Sequence, residues 1–95
     1  MPAYIVVQVD VHDPVTYARY KSLTPAAISA HGGRFLVRGG PVTTLEGTWH
    51  PGRFVIIEFP SAGDARAFWD APGYAEAKSL RQASASTEMI LVEGV

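Results

Sequence analysis

Few residues in this chain can move a proton or hold a charged ligand, so their spacing carries weight. His31 stands immediately before Gly32-Gly33, and Glu58 is the one carboxylate in the apolar run Phe54-Val55-Ile56-Ile57-Glu58-Phe59. Histidine changes charge near neutral pH and suits acid–base work. A carboxylate inside an apolar strand either finds a cation or sits in a cleft with perturbed acidity, ready for proton transfer. Arg38 precedes Gly39-Gly40, which joins a guanidinium fork to exposed backbone N–H groups, and both suit anions. Tyr17, Tyr20, Trp69 and Tyr74 add flat apolar walls. A few titratable groups beside such walls is the usual make-up of a small-ligand cleft. The expectation is a pocket bordered by Tyr17, Tyr20, His31, Trp69 and Tyr74, with Arg38 and Glu58 at its rim or floor. His31 and Glu58 would be catalytic, and a planar acid or carbonyl compound would suit the site better than a nucleotide.

Each residue also has a plainer role. A histidine closing a helix interacts favourably with the helix dipole, by roughly 0.3–1 kcal/mol. Glu58 as a salt-bridge partner of Arg38, Arg53 or Arg81 would fix strand register or an interface. Phe68 and Trp69 on a helix face are ordinary core residues, whereas Trp49, in a glycine-rich loop, either caps a barrel mouth or lines a ligand site. His12, His31 and His50 show no paired metal-ligand spacing, and His50 with Glu46 is the least implausible pair, so no metal site is expected. No catalytic triad, nucleotide fingerprint or Walker loop occurs, and no cofactor is expected.

Composition narrows the class further. The 95 residues allow one domain, spanning 1–95, and a domain of this size has modest stability of its own. With 47% hydrophobic and 18% charged residues it is globular, and a net charge of −1 offers nothing to a polyanion. Absence of cysteine excludes disulfides, thiol nucleophiles and Cys-type zinc sites. Met1-Pro2-Ala3-Tyr4 enters apolar residues without a basic leader, and no apolar run reaches the ~18 residues needed to span a bilayer. The expected location is the cytoplasm, with no membrane partner.

The elements that must position these groups follow from periodicity. Residues 4–11 alternate as a strand that is apolar on both faces near its start. Asp13-Pro14 then reads as a helix cap followed by proline at the first position. A helix over 15–30 presents Tyr17, Tyr20, Thr24, Ala27, Ile28 and His31 on one stripe, with Pro25 expected to bend or break it. Residues 34–38 form a second strand, with Phe35 and Val37 sharing a face and Leu36 on the other. Residues 42–52 are mostly loop, with room for a short strand at 42–45. The third strand is 53–59, and Ser61 with Asp64 resembles a capping box for the next helix. Pro72-Gly73 interrupts that helix, which resumes at Tyr74 to about Ala83, and residues 86–93 make the fourth strand.

The order β-α-β-β-α-β in one small sheet, with right-handed crossovers, gives an α+β ferredoxin-like sandwich with strands one and three central. Two helices cover only one sheet face. The other face would expose more apolar surface than monomers usually tolerate, so a homodimer is expected.

Here the residues resemble a family. The run Gly32-Gly33-Arg34-Phe35-Leu36-Val37-Arg38-Gly39-Gly40, the segment Leu45-Glu46-Gly47-Thr48-Trp49, Arg53 leading to Glu58-Phe59-Pro60, and Phe68-Trp69 with Pro72, Tyr74 and Arg81 are similar to domain-of-unknown-function family 1330. The likeness covers essentially the whole chain. It implies a ferredoxin-like protomer of the dimeric α/β-barrel superfamily, whose sheet pairs with its twin, and it implies no reaction. Superfamily neighbours include cofactor-free monooxygenases, muconolactone-isomerase-like enzymes and stress-related proteins.

Two function classes follow: a small cofactor-independent enzyme, by proton transfer or monooxygenase-like chemistry, and a non-catalytic small-molecule-binding or stress-related dimer. A nucleic-acid partner is not expected. The stretch 52–59 faintly echoes an RNA-binding strand but places Ile56 where the stacking aromatic belongs.

Overall fold

β1 (Ala3–Val11) sits at the centre of the sheet because both of its faces are apolar enough to be covered. In the computed structural model, which describes residues 1–95, Ala3, Ile5, Val7 and Val9 are buried beneath the helices. Tyr4, Val6 and Gln8 point to the opposite face and are only half-buried. The other strands are β2 (Arg34–Arg38), β3 (Arg53–Phe59) and β4 (Ala85–Glu93). The sheet order is β2-β3-β1-β4, and every neighbouring pair is antiparallel. With α1 (Pro14–Ala30), α2 (Ala62–Asp70) and α3 (Pro72–Ser84) on one side, this is the expected ferredoxin-like α+β sandwich.

Local chemistry sets the helix ends. The Asp13 carboxylate accepts from the Thr16 backbone N–H at 3.2 Å and from its hydroxyl at 2.7 Å, capping α1 with Pro14 in the first turn. Ser61 accepts from the Asp64 N–H and donates to its carboxylate, the reciprocal pair that the spacing predicts for α2. Pro72 breaks the helix as expected: Ala71 is extended, at φ −68° and ψ 137°, and α3 starts afresh.

Of the two outcomes expected at Pro25, a bend or a break, the break does not occur. α1 runs through it without interruption. A proline here leaves the Lys21 carbonyl without its helical donor. The Arg38 guanidinium replaces that donor, bonding the Lys21 oxygen from Nη2 at 3.1 Å. The satisfaction is tertiary and crosses from β2 to α1.

The second difference lies in β2. The register against β3 slips between Phe35 and Val37, so Leu36 is an extra residue and is 46% exposed. Phe35 pairs with Ile57 on the helix side, while Val37 pairs with Ile56 on the open side, so the two do not share a face. The same bulge turns Arg38, paired with Val55, toward the helices. Beyond it, residues 39–52 contain no strand. Gly39 there has φ 73°, in the left-handed region that favours glycine, with the Arg53 guanidinium close against it. Trp49 ties the loop to the open face by donating to the Gln8 side chain at 2.8 Å and meeting Phe54 edge-on at 6.0 Å.

The core lies between sheet and helices. Phe59, Phe68 and Tyr74 form its aromatic centre, with ring separations of 5.3 Å and 4.3 Å. The opposite face, with Tyr4, Val6, Phe54, Ile56, Ile90 and Val92, has no helix over it; Ile90 is 58% exposed. No helix is long and apolar enough to cross a membrane.

Candidate functional site

The α1 stripe and the start of α3 bring three tyrosines together over the sheet. Tyr17 and Tyr20 are one turn apart, with rings 5.2 Å from each other. Tyr74 sits in the first turn of α3, where the Pro72 break sends its ring inward. Its hydroxyl lies 3.4 Å from that of Tyr20, so one phenol donates to the other within the core. Burial pushes the Tyr20 phenol well above its ordinary value, and the Tyr74 phenol beside it adds to the effect. Burial also raises Tyr17, against an opposing pull from Arg53, whose guanidinium carbon is 5.8 Å from the Tyr17 ring. Both phenols are therefore neutral O–H groups over the physiological range, able to donate to a carbonyl or carboxylate oxygen.

Arginines surround this cluster. Arg38 and Arg53 line the tyrosine cleft from the sheet, together with Phe68 and Thr24. Arg38 is held by the Lys21 carbonyl and stacks on Phe35, 4.4 Å from the ring centroid. The enclosed volume is only about 20 Å³. That is room for about one water, not for an organic ligand. Ligand-sized spaces open beside the cluster. One of about 180 Å³ lies between α2 and β4, and another of about 390 Å³ lies between α3 and β4; Trp69 and Met89 line both.

Of the residues expected in the pocket, Tyr17, Tyr20, Arg38 and Tyr74 come together. Trp69 does not join them. It stands on the outer side of the core, 6.2 Å from Tyr74, with the Lys78 ammonium 4.1 Å over its ring. His31 also lies apart from the cleft. It caps α1, with Nδ1 3.1 Å from the Ala27 carbonyl oxygen and its ring edge-on to Phe68 at 6.3 Å. Glu58 faces away from the pocket altogether. It shares the open face with Tyr4 and Ile56 and pairs with Arg34, its register neighbour, at 2.8 Å. Its cation is thus Arg34 and not Arg38, Arg53 or Arg81. Strand alternation accounts for this: Val55, Ile57 and Phe59 are the buried set, which puts Glu58 on the other side.

Arg81 was expected only as a partner for Glu58. It is in fact 4% exposed, and its charge is felt at both Tyr17 and Tyr20. The signal for its burial is helical spacing: Tyr74, Ala77, Arg81 and Ser84 form one buried stripe. No group of three or more His, Asp or Glu side chains converges into a metal-binding cluster.

Comparison with known proteins agrees with this architecture. Residues 2–95 match the family described as Domain of unknown function (DUF1330). A protein of unknown function from Rhodopseudomonas palustris is similar over 99% of this chain and 82% of its own, with 21% identity and a TM-score of 0.81. A dimeric ferredoxin-like protein of unknown function from Jannaschia sp. CCS1 is similar over 99% of this chain and 100% of its own, at 13% identity and TM-score 0.74. SnoaB, a cofactor-independent oxygenase from Streptomyces nogalater, is similar over 99% and 93%, at 19% identity and TM-score 0.69. At such identities the likeness establishes the fold. Among curated proteins no sequence match was found.

Proposed function

The chain belongs to the DUF1330 family, and from that premise we propose that it is a cytoplasmic homodimer acting on a small planar acid or carbonyl compound without a cofactor. The observation that carries the reading is the buried Tyr20–Tyr74 phenol pair beside arginines at the helix–sheet boundary. Polar groups are costly in a core unless they are used or paired. The ligand-sized spaces lie on the far side of Trp69 and Met89, and of the buried polar groups Arg81 lines one of them. A neutral phenol that contacts a carbonyl oxygen polarises it and relays a proton, a contribution of about 10²–10⁴-fold in rate. The tyrosines replace His31 and Glu58 as the acid–base groups of the proposal, because neither of those borders the cleft.

Two things support the dimer. The open sheet face carries Val6, Ile56, Ile90 and Val92, and covering a few hundred Å² of it contributes several kcal/mol at about 25 cal/mol per Å². The similar Jannaschia protein is itself described as dimeric. The similar Streptomyces protein is described as a cofactor-independent oxygenase, which keeps catalysis without a cofactor in view for this architecture.

A non-catalytic binding dimer is the second reading, favoured by ligand-sized spaces that Trp69 and Met89 line and the tyrosines do not. A thermal-shift screen of small aromatic acids and aldehydes, followed by turnover assays on the hits, separates the two. Turnover by the wild type that falls at least about tenfold in Tyr74→Phe, with His31→Gln unaffected, supports the enzyme. Binding without turnover supports the binding dimer, and a screen without hits contradicts both.

A further inference from the structure

Arg81 stands in an unusual position. It is 4% exposed, yet its Nε and Nη2 are buried without a hydrogen-bond partner. A guanidinium cannot shed its charge to escape this cost, as a buried lysine or glutamate can. The Thr87 hydroxyl is buried and unpartnered as well. β4 alternation places Thr87 on the helix-facing side with Ala85 and Met89, and both Thr87 and Arg81 are among the residues that line an open space of about 390 Å³. Three of the four such atoms in the protein belong to Arg81 and Thr87, two residues that line this one space.

The other walls define what fits. Trp69 supplies a flat ring, with the Arg81 guanidinium carbon 5.8 Å from its centroid, and Met89 supplies a soft apolar contact. Lys78 lies over the same ring but outside the residues that line the space. Glu88 opposes them from the rim: it is exposed, and its strand position points it to the open face opposite Gln8. Donors outnumber acceptors, and the donors are the buried groups.

We propose that the cavity between α3 and β4 is a carboxylate-binding site, in which Arg81 and Thr87 hold the anionic group of a planar organic acid whose body lies against Trp69 and Met89. Two guanidinium N–H groups side by side match the two oxygens of a carboxylate. The Thr87 hydroxyl supplies a third donor from the strand. This rests on the proposed handling of a planar acid or carbonyl compound and narrows it to an acid. The charged end is then set at the α3–β4 side, at Arg81 and Thr87.

Calorimetric titration with benzoate, with benzamide as its neutral counterpart, and with inorganic phosphate tests the site. Benzoate is expected to bind, benzamide at least about tenfold more weakly and phosphate more weakly than benzoate, since it gains nothing from Trp69 and Met89. Arg81→Met should abolish benzoate binding while leaving the unliganded protein as stable as the wild type or more so, because an unpaired buried charge is gone. Thr87→Val preserves shape and should weaken benzoate about three- to tenfold without loss of melting temperature, so the test survives if the Arg81 variant fails to fold. Equal binding of benzoate and benzamide, unaffected by either substitution, would overturn the carboxylate site while leaving a planar-compound site standing. No binding of either aromatic probe would overturn both. Phosphate binding as tightly as benzoate would overturn the organic-acid assignment.

Discussion

The two faces of the sheet are built from alternate residues of the same strands, yet they do different work. On the covered face Ala3, Ile5, Val7, Val9, Val55, Ile57 and Phe59 are buried against Phe68, Tyr74 and the α1 stripe. On the open face Tyr4, Val6, Phe54 and Ile56 are half-buried, Ile90 and Val92 are exposed, and Arg34–Glu58 forms an ion pair at the β2 edge. The covered face holds the fold together and carries the polar cluster. The open face carries an apolar patch bordered by Gln8, Glu88 and the Arg34–Glu58 pair, and it lacks a second layer within the chain. A single period-two pattern thus separates folding from assembly, and it assigns each titratable group to one or the other.

The largest effect expected from breaking this division is in the covered layer. Phe59 is fully buried and packs on Phe68. Phe59→Ala should cost about 3–5 kcal/mol in urea unfolding. A cost below that of an open-face Ile56→Ala would erase the distinction. The next effect is alkaline. The phenols of Tyr17 and Tyr20 are raised above 10 by burial, so their neutral form is retained in the fold while the unfolded chain ionises. Their contribution is complete below pH 10 and is lost as pH rises beyond it, by about 1.4 kcal/mol per pH unit for each phenol that ionises only on unfolding. Unfolding measured between pH 9 and about 11 should show this fall, and Tyr20→Phe should make it shallower; an unchanged slope would contradict the burial of that phenol. The smallest effect belongs to the open face: Glu58→Gln removes a partly exposed ion pair and should cost no more than about 1 kcal/mol. A larger loss, with turnover of a screened substrate abolished as well, would restore Glu58 to a catalytic role.

Much of this was legible in the residues themselves, and what was hidden has physical reasons. Local chemistry announced the Asp13 and Ser61 caps and the Pro72 break, because each depends on neighbours within four residues. That Pro25 leaves α1 unbroken was not legible, because its lost hydrogen bond is replaced from Arg38, thirteen positions away in the chain and on another element. The bulge at Leu36 turns Val37 and Arg38 over, and a strict two-residue alternation has no means of marking it. Glu58 was separable from the pocket by its alternation with Val55, Ile57 and Phe59, but only once the helix-covered face is known. Arg81 was the costliest omission. Its charge type suggests a surface residue, and only the stripe through Tyr74, Ala77 and Ser84 argues otherwise.

The central division between the faces is tested most directly by sedimentation at low micromolar concentration, comparing the wild type with Ile56→Arg. A covered open face predicts a dimer for the wild type and a folded monomer for the variant, with unchanged helix and strand content by circular dichroism. A wild type that sediments as a stable, folded monomer would contradict the account.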